Sequence, residues 1–177
     1  MKENTLGIVI DIQEKLLPAM SNQETLISNC SKLIGGMLEL GLPLLVTQQY
    51  TKGLGNTVAE IASCFPVFEP IEKTTFSCYD EPGFVEKIED ISRSNVIVCG
   101  IESHVCVMQT AIDLKMAGYN PVVIADAISS RKEESKAIAM ERFRYEGIMV
   151  SSVESVLFEL LRSASSAHFK SISKLVK

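Results

Sequence analysis

A pair of patterns recurs along this chain: a short apolar run, closing on a carboxylate or a glycine, alternates with a longer stretch of helical spacing. Leu6-Gly-Ile-Val-Ile-Asp11 opens the series, and Leu44 to Val46, Asn95 to Gly100, Pro121 to Asp126 and Ile148 to Val150 continue it, with a weaker run from Val67 to Ile71. Nearly continuous apolar runs mark strands buried on both faces, because a strand with one wet face alternates apolar and polar residues. Between them, Leu26, Ile27, Cys30, Leu33, Ile34, Met37 and Leu38 recur at helical intervals until Gly41. Further helices are expected from Pro82 to about Ile91, from Cys106 through Met108, Ala111, Ile112 and Lys115 to Gly118, and from Lys132 to about Tyr145. Val153, Val156, Leu157, Leu160 and Leu161 form another apolar face, and Ala167 to Val176 a terminal amphipathic helix. Ser21 with Glu24 and Ser151 with Glu154 have capping-box spacing. Strand and helix in alternation imply the α/β class: a parallel sheet with helices on both faces, in a three-layer α/β/α arrangement, and ligands outside the carboxyl ends of the strands.

The 177 residues fit one domain spanning 1–177, long enough to bury a core without disulfides or metals. Five cysteines without framework spacing point to a reducing compartment, the cytoplasm being the simplest. The first strand begins so close to Met1 that a signal peptide is not expected, and no apolar run approaches the roughly twenty residues of a membrane span. With a net charge of −5 and no Lys/Arg cluster interleaved with aromatics, nucleic acid and membrane partners are not expected. Lys170, Lys174 and Lys177 read as one solvated helix face, and Met37, Met108, Met116, Met140 and Met149 read as core.

Chemistry is sought where strands end. Cys106 follows the run Asn95-Val-Ile-Val-Cys-Gly100-Ile-Glu-Ser-His-Val-Cys106 and heads a helical pattern. A helix start offers unpaired N–H groups that stabilise a thiolate and later an oxyanion. Cysteine is also among the most buried residue types, so a packing role is the alternative at this position. Cys99 lies inside its strand and reads as core; Cys30, Cys64 and Cys78 show neither CxxC spacing nor neighbouring histidines, so neither a zinc site nor a redox pair is indicated. Chain reversals bring Asp11, Lys73 and Cys106 to one edge, where Asp11 and Lys73 pair with each other and with the thiol, or form a structural ion pair alone. Gln13, Gln49, Tyr50, Phe76 and Ile101 adjoin these residues as candidate substrate contacts or as ordinary strand-end packing. Asp126 ends another strand and suits an N-cap or a loop.

Asp11-Ile-Gln13, Lys73-Thr-Thr-Phe-Ser77 and Gly100-Ile-Glu-Ser-His-Val-Cys106-Val107, in that order, resemble the three motifs of the isochorismatase-like cysteine hydrolases, a family that includes nicotinamidases. Thr47 to Val58 and Phe169 to Lys177 look most like the isochorismatase-domain-containing proteins. The resemblance implies a six-stranded, Rossmann-like parallel sheet and assigns Asp11, Lys73 and Cys106 to a catalytic triad. It also implies a cis peptide between Ile101 and Glu102, and an oxyanion hole from the N–H groups of Glu102 and Cys106. Glu102 then anchors the bend, and His104 packs or caps. By the same resemblance the chain hydrolyses a small-molecule amide through a thioester, without a cofactor, as a homo-oligomer. Metal-dependent nicotinamidases carry Asp-x-His where this chain has Gln48, Gln49 and Tyr50, which argues against both a metal and nicotinamide; the nucleophilic cysteine argues against vinyl-ether cleavage. Two other readings stand beside it: an oligomeric assembly protein that keeps the fold without turnover, and a redox-sensing thiol, which needs a low thiol pKa.

Overall fold

In a computed structural model that describes residues 2–177, six strands form one parallel sheet in the order β3-β2-β1-β4-β5-β6. They are β1 (Thr5–Ile10), β2 (Leu44–Gln49), β3 (Ile71–Lys73), β4 (Asn95–Ile101), β5 (Asn120–Ser129) and β6 (Met149–Ser151). The longer helices are α1 (Gln23–Glu39), α4 (Pro82–Ile91), α5 (Met108–Met116), α6 (Glu133–Tyr145), α7 (Val153–Leu161) and α8 (Phe169–Leu175), with one-turn α2 (Thr51–Leu54) and α3 (Ala59–Ala62) after β2.

All of β1 is buried, and its side chains divide between two cores as the two-residue period of a strand requires. Leu6, Ile8 and Ile10 join Val96 and Val98 of β4 against Phe84 and Ile88 of α4, Leu114 of α5 and Phe143 of α6. Val9 joins Ile97, Cys99 and Ile101 on the opposite face, against Leu33 and Met37 of α1, Leu157 and Leu160 of α7 and Ile172 of α8. Each such aliphatic side chain removed from water contributes about 1.5–3 kcal/mol before entropy is counted. Helix α1 closes in a Schellman turn, where Leu42 N–H donates to Met37 O, Gly41 N–H donates to Leu38 O, and Gly41 takes φ 70°. That turn feeds the chain straight into β2.

From β1 the chain works outward through β2 and β3, then returns to the other side of β1 as β4. The connections after β1 and β4 leave in opposite directions, opening a crevice at their carboxyl ends. Gly100 lets the two strands meet there: it pairs with Ile10, has φ 117°, and a Cβ on it would lie 2.1 Å from the Ile10 carbonyl oxygen. Immediately before it the β4–β5 register shifts, so that Val98 pairs with Val123 but Gly100 with Ile128. The extra β5 residues carry that strand to Ser129, beyond the expected end at Asp126.

Several local expectations are corrected. The third strand does not begin at Val67, which is 71 % exposed; Pro70 lacks the N–H that a ladder needs, and β3 starts at Ile71. Strand β2 continues through Gln49 instead of stopping at Val46. Ser21 makes no capping box: its hydroxyl donates to Ser130 O, and Asn22 in the left-handed region precedes α1. Ser151 lies in β6, and Ser152 caps α7 by accepting from Ser155 N–H. Asp126 supplies a second cap, its Oδ1 accepting from Val153 N–H. Met116 and Met149 face solvent at element ends, whereas Met37 is wholly buried. Lys170, Lys174 and Lys177 are exposed as expected, and no helix among the described residues is long and apolar enough to cross a membrane.

Gly100→Ala is expected to lower stability by on the order of 3 kcal/mol, because the new Cβ meets rigid backbone and the positive φ disfavours an L side chain. Urea denaturation followed by circular dichroism checks this; a change near zero contradicts the packing described at the β1–β4 junction.

Candidate active site

Asp11 is the first residue past β1 and turns out of the strand with φ 53°, lifting its carboxylate above the neighbouring end of β2. Lys73 closes β3, two strands away, since the register pairs Ile10 with Thr47 and Gln49 with Lys73. Its four-carbon stem spans the end of β2 and puts Nζ 2.7 Å from Asp11 Oδ2, with neither side chain exposed. A buried ion pair is tolerable only when its remaining hydrogen-bonding capacity is met. Here Lys73 Nζ also faces Gln49 Oε1 at 2.6 Å and the carbonyl oxygens of Thr75 at 3.0 Å and Phe76 at 3.2 Å. Asp11 Oδ1 accepts from the Thr47 hydroxyl at 2.7 Å.

Cys106 follows β4, which lies on the other side of β1 from β2 and β3. It sits in a π-helical turn, Ser103–Val107, between β4 and α5, after a cis peptide joining Ile101 to Glu102. The expected helix therefore starts as a wider turn and becomes α-helical only at Met108. Only 7 % of Cys106 is exposed, and the Asp11 carboxylate bears on its thiol. Burial, then the Asp11 charge, push the thiol up to about 12, although Lys73 pulls it down. The helix start and Lys73 do not outweigh burial and Asp11, so the group rests as S–H. Burial works against the Lys73 ammonium as well, but Asp11, with Cys78 and Cys106, outweighs it and raises the lysine, which stays charged.

The other candidates divide into braces and a rim. Gln13 is wholly buried; its amide donates to Gln49 O and Gly55 O and accepts from Gln49 N–H, tying the turn after β1 to the end of β2. Gln49 is held between Lys73 and Thr74 O, and Ile101 is fully buried. Tyr50 and Phe76 are 52 % and 57 % exposed and flank Lys73, Tyr50 N–H donating to Lys73 O and Phe76 O accepting from Lys73 Nζ. Tyr50 adopts φ 39°, with its ring against Gly53, where a Cβ would fall 2.2 Å from ring carbon Cε1. Glu102 accepts from Arg131 N–H and Nε–H, and His104 Nδ1 lies 2.9 Å from Ser130 Oγ. At the position of the nicotinamidase metal ligands, Gln48 is engaged by Thr51 and Thr57, and Gln49 by Lys73 and Thr74, so these residues do not fit a metal.

Two residues near the carboxylate carried no functional reading in the sequence. Thr47 bonds Asp11 directly, and Cys78, fully buried, places Sγ 3.8 Å from Thr47 Oγ1. Burial, with Asp11, also pushes the Cys78 thiol up to about 12. The strand order was the available signal: once β2 neighbours β1, the last buried hydroxyl of β2 must lie beside Asp11.

A doubly wound sheet with a buried thiol, carboxylate and ammonium at its switch point defines a hydrolase-like α/β protein. The model of the isochorismatase domain matches residues 5–155, and the chain belongs to the isochorismatase-like cysteine hydrolase family. It is 33 % identical to isochorismatase domain-containing protein 2A of Mus musculus, over all of this chain and 84 % of that protein. It is 36 % identical to a secreted isochorismatase effector, Isc1, of Phytophthora sojae, over 96 % of this chain and 82 % of the relative. Among solved structures, one described as a MAR1 ribonuclease from Caenorhabditis elegans superposes with a TM-score of 0.92 at 33 % identity, covering 99 % of this chain and 90 % of its own.

The charges around Cys106 make a signed prediction. In the wild type, its titration followed by residue-resolved alkylation is expected to show a midpoint well above the ordinary thiol value of about 8.5. Asp11→Asn removes the anion that raises the thiol and moves the midpoint down; Lys73→Met removes the opposing cation and moves it further up. Midpoints shifting the other way contradict this electrostatic assignment.

Proposed function

We propose that this chain is a cysteine-dependent hydrolase of a small amide, working through a thioester acyl-enzyme with Asp11, Lys73 and Cys106 as its triad. The observation that supports this reading is the shared carboxylate: Asp11 meets Lys73 at 2.7 Å and also raises the buried Cys106 thiol. Because the thiol rests protonated, proton transfer and attack occur together. Asp11 takes the Cys106 proton as Sγ bonds to the amide carbonyl carbon, and Lys73 stabilises the charge around the base. The oxygen becomes an oxyanion beside the N–H groups of Glu102 and Cys106, each such donor contributing roughly 2.7–4 kcal/mol at other oxyanion sites. As the C–N bond breaks, the protonated Asp11 returns its proton to the leaving amine. Water then enters, gives a proton to Asp11 and adds to the thioester; collapse releases the acid and restores the thiol.

Tyr50 and Phe76 form the exposed rim that meets the substrate, with Gln13, Gln49 and Ile101 supporting the wall behind it. An enclosed nucleophile and a net charge of −5 favour a small neutral substrate over a polynucleotide, the substrate class that the description of the Caenorhabditis elegans relative suggests. The redox-sensing reading is not favoured, since Cys106 is buried and its thiol is raised, not lowered. Residues 1–177 act as one unit, and five free thiols suit a reducing compartment such as the cytoplasm. Self-association into a homo-oligomer uses the corner where Lys115 ties the end of α5 to Glu146 O and Gly147 O, which carries exposed Met116, Tyr145 and Met149. Light scattering is expected to give a mass above one chain that falls toward 19.4 kDa in Tyr145→Glu/Met149→Glu; an unaltered mass removes that corner from the interface.

Ammonia release from a panel of small primary amides, alongside RNA cleavage, tests the activity. Cys106→Ala is expected to lose at least about a thousandfold in kcat, and mass spectrometry of the quenched wild type is expected to find the acyl group on Cys106. Turnover that survives Cys106→Ala would sink the mechanism.

A further inference from the structure

We propose that Thr47 is a positioning residue for the reaction, its hydroxyl holding Asp11 in the orientation that receives the Cys106 proton, with Cys78 behind it holding that hydroxyl in place. This inference rests on the reading of Asp11 as the base.

The argument begins with the capacity of the groups. Asp11 is fully buried, and its two oxygens face different partners: Oδ2 the Lys73 ammonium and Oδ1 the Thr47 hydroxyl, each at 2.7 Å. Lys73 alone leaves the carboxylate free to turn about its Cβ–Cγ bond while keeping one oxygen on Nζ. A second donor on the other oxygen removes that freedom, so the carboxylate keeps one orientation. The backbone supports the same geometry, because Asp11 N–H donates to Thr47 O at 3.3 Å and Thr47 is itself fully buried in β2.

An ionised carboxylate only accepts, so the Thr47 hydroxyl donates to Asp11 and keeps its lone pairs free to accept from a second partner. Cys78 Sγ lies 3.8 Å from Thr47 Oγ1, and this thiol is pushed up to about 12, so it remains a donor. The Cys78 S–H, donating to a lone pair of Thr47 Oγ1, holds the hydroxyl where its proton points at Asp11. Cys78 is anchored in turn by its backbone N–H, which donates to Thr110 Oγ1 at 2.9 Å. Thr110 belongs to α5, the helix that continues from the turn bearing Cys106. The chain Thr110, Cys78, Thr47, Asp11 therefore couples the nucleophile's own helix to the base.

The test uses p-nitrophenyl acetate as acylating probe, read as p-nitrophenolate release, with Asp11→Asn run alongside. Thr47→Val keeps the side-chain shape and loses the hydroxyl; it is expected to slow acylation by about tenfold to a hundredfold with little change in KM. Thr47→Ser keeps the hydroxyl and loses the methyl, and is expected to stay within about threefold of the wild type. A packing role predicts the reverse order, so a fast Val variant and a slow Ser variant overturn the proposal. Cys78→Ala is expected to lose a few-fold and Cys78→Ser to recover it. If Asp11→Asn acylates at the wild-type rate, the assignment of Asp11 as base fails; if Asp11→Asn is slow and Thr47→Val is not, only the role of Thr47 fails. A probe-independent reading comes from NMR, where the Thr47 hydroxyl proton is expected as a slowly exchanging resonance that moves in Asp11→Asn and in Cys78→Ala. A rapidly exchanging hydroxyl contradicts the proposal.

Discussion

The Asp11–Lys73 ion pair organises the carboxyl edge of the sheet. Two opposite charges without exposed surface persist in a protein only when their attraction and their other hydrogen bonds together offset dehydration. The lysine therefore collects the Gln49 amide oxygen and two carbonyls of the loop after β3, while the aspartate collects Thr47. Each of those partners belongs to an adjoining segment, so meeting the needs of one ion pair fixes the ends of β1 and β2 and the Thr74–Phe76 loop. The exposed rim of Tyr50 and Phe76 hangs from the same lysine through backbone groups.

The thiol inherits its character from this arrangement. A helix start and the Lys73 ammonium both favour a thiolate, yet burial and the Asp11 carboxylate dominate and keep Cys106 protonated. In the proposed mechanism a nucleophile that releases its proton only as it attacks is well matched to a base already locked in place. It is poorly matched to scavenging oxidants, which react with exposed thiolates. Gly100 makes the meeting possible at all, because β4 must approach the Ile10 backbone more closely than any Cβ permits before it can turn toward Asp11.

Much of this was legible in the linear pattern, and the misses have physical causes. The continuous apolar runs marked buried strands because both faces of a parallel sheet are dry, and the 3.6-residue spacing marked α1, α4 and α7. Failure came where a local signal had a competitor. Val67 and Phe68 look strand-like until Pro66 and Pro70 remove the donors a ladder needs. Ser21 has capping-box spacing, but its hydroxyl finds Ser130, a residue distant in sequence. Met116 and Met149 match core spacing but lie where elements end at the surface. Gln13 stood out beside Asp11, and its amide proves to be a brace between loops, with no exposed surface.

The sequence by itself determined the α/β alternation, the positions of the polar residues at strand ends, and the three motifs that identify the family. Those are properties of neighbours along the chain, set by side-chain periodicity and backbone propensity. Only the tertiary structure decided which strand ends adjoin, that Lys73 reaches over β2, that Thr47 and Cys78 stand behind Asp11, and that Cys106 rests as a thiol. Strand order, burial and the distances between charges arise from contacts between residues far apart in sequence, and electrostatic balance depends on those distances and on exclusion of water.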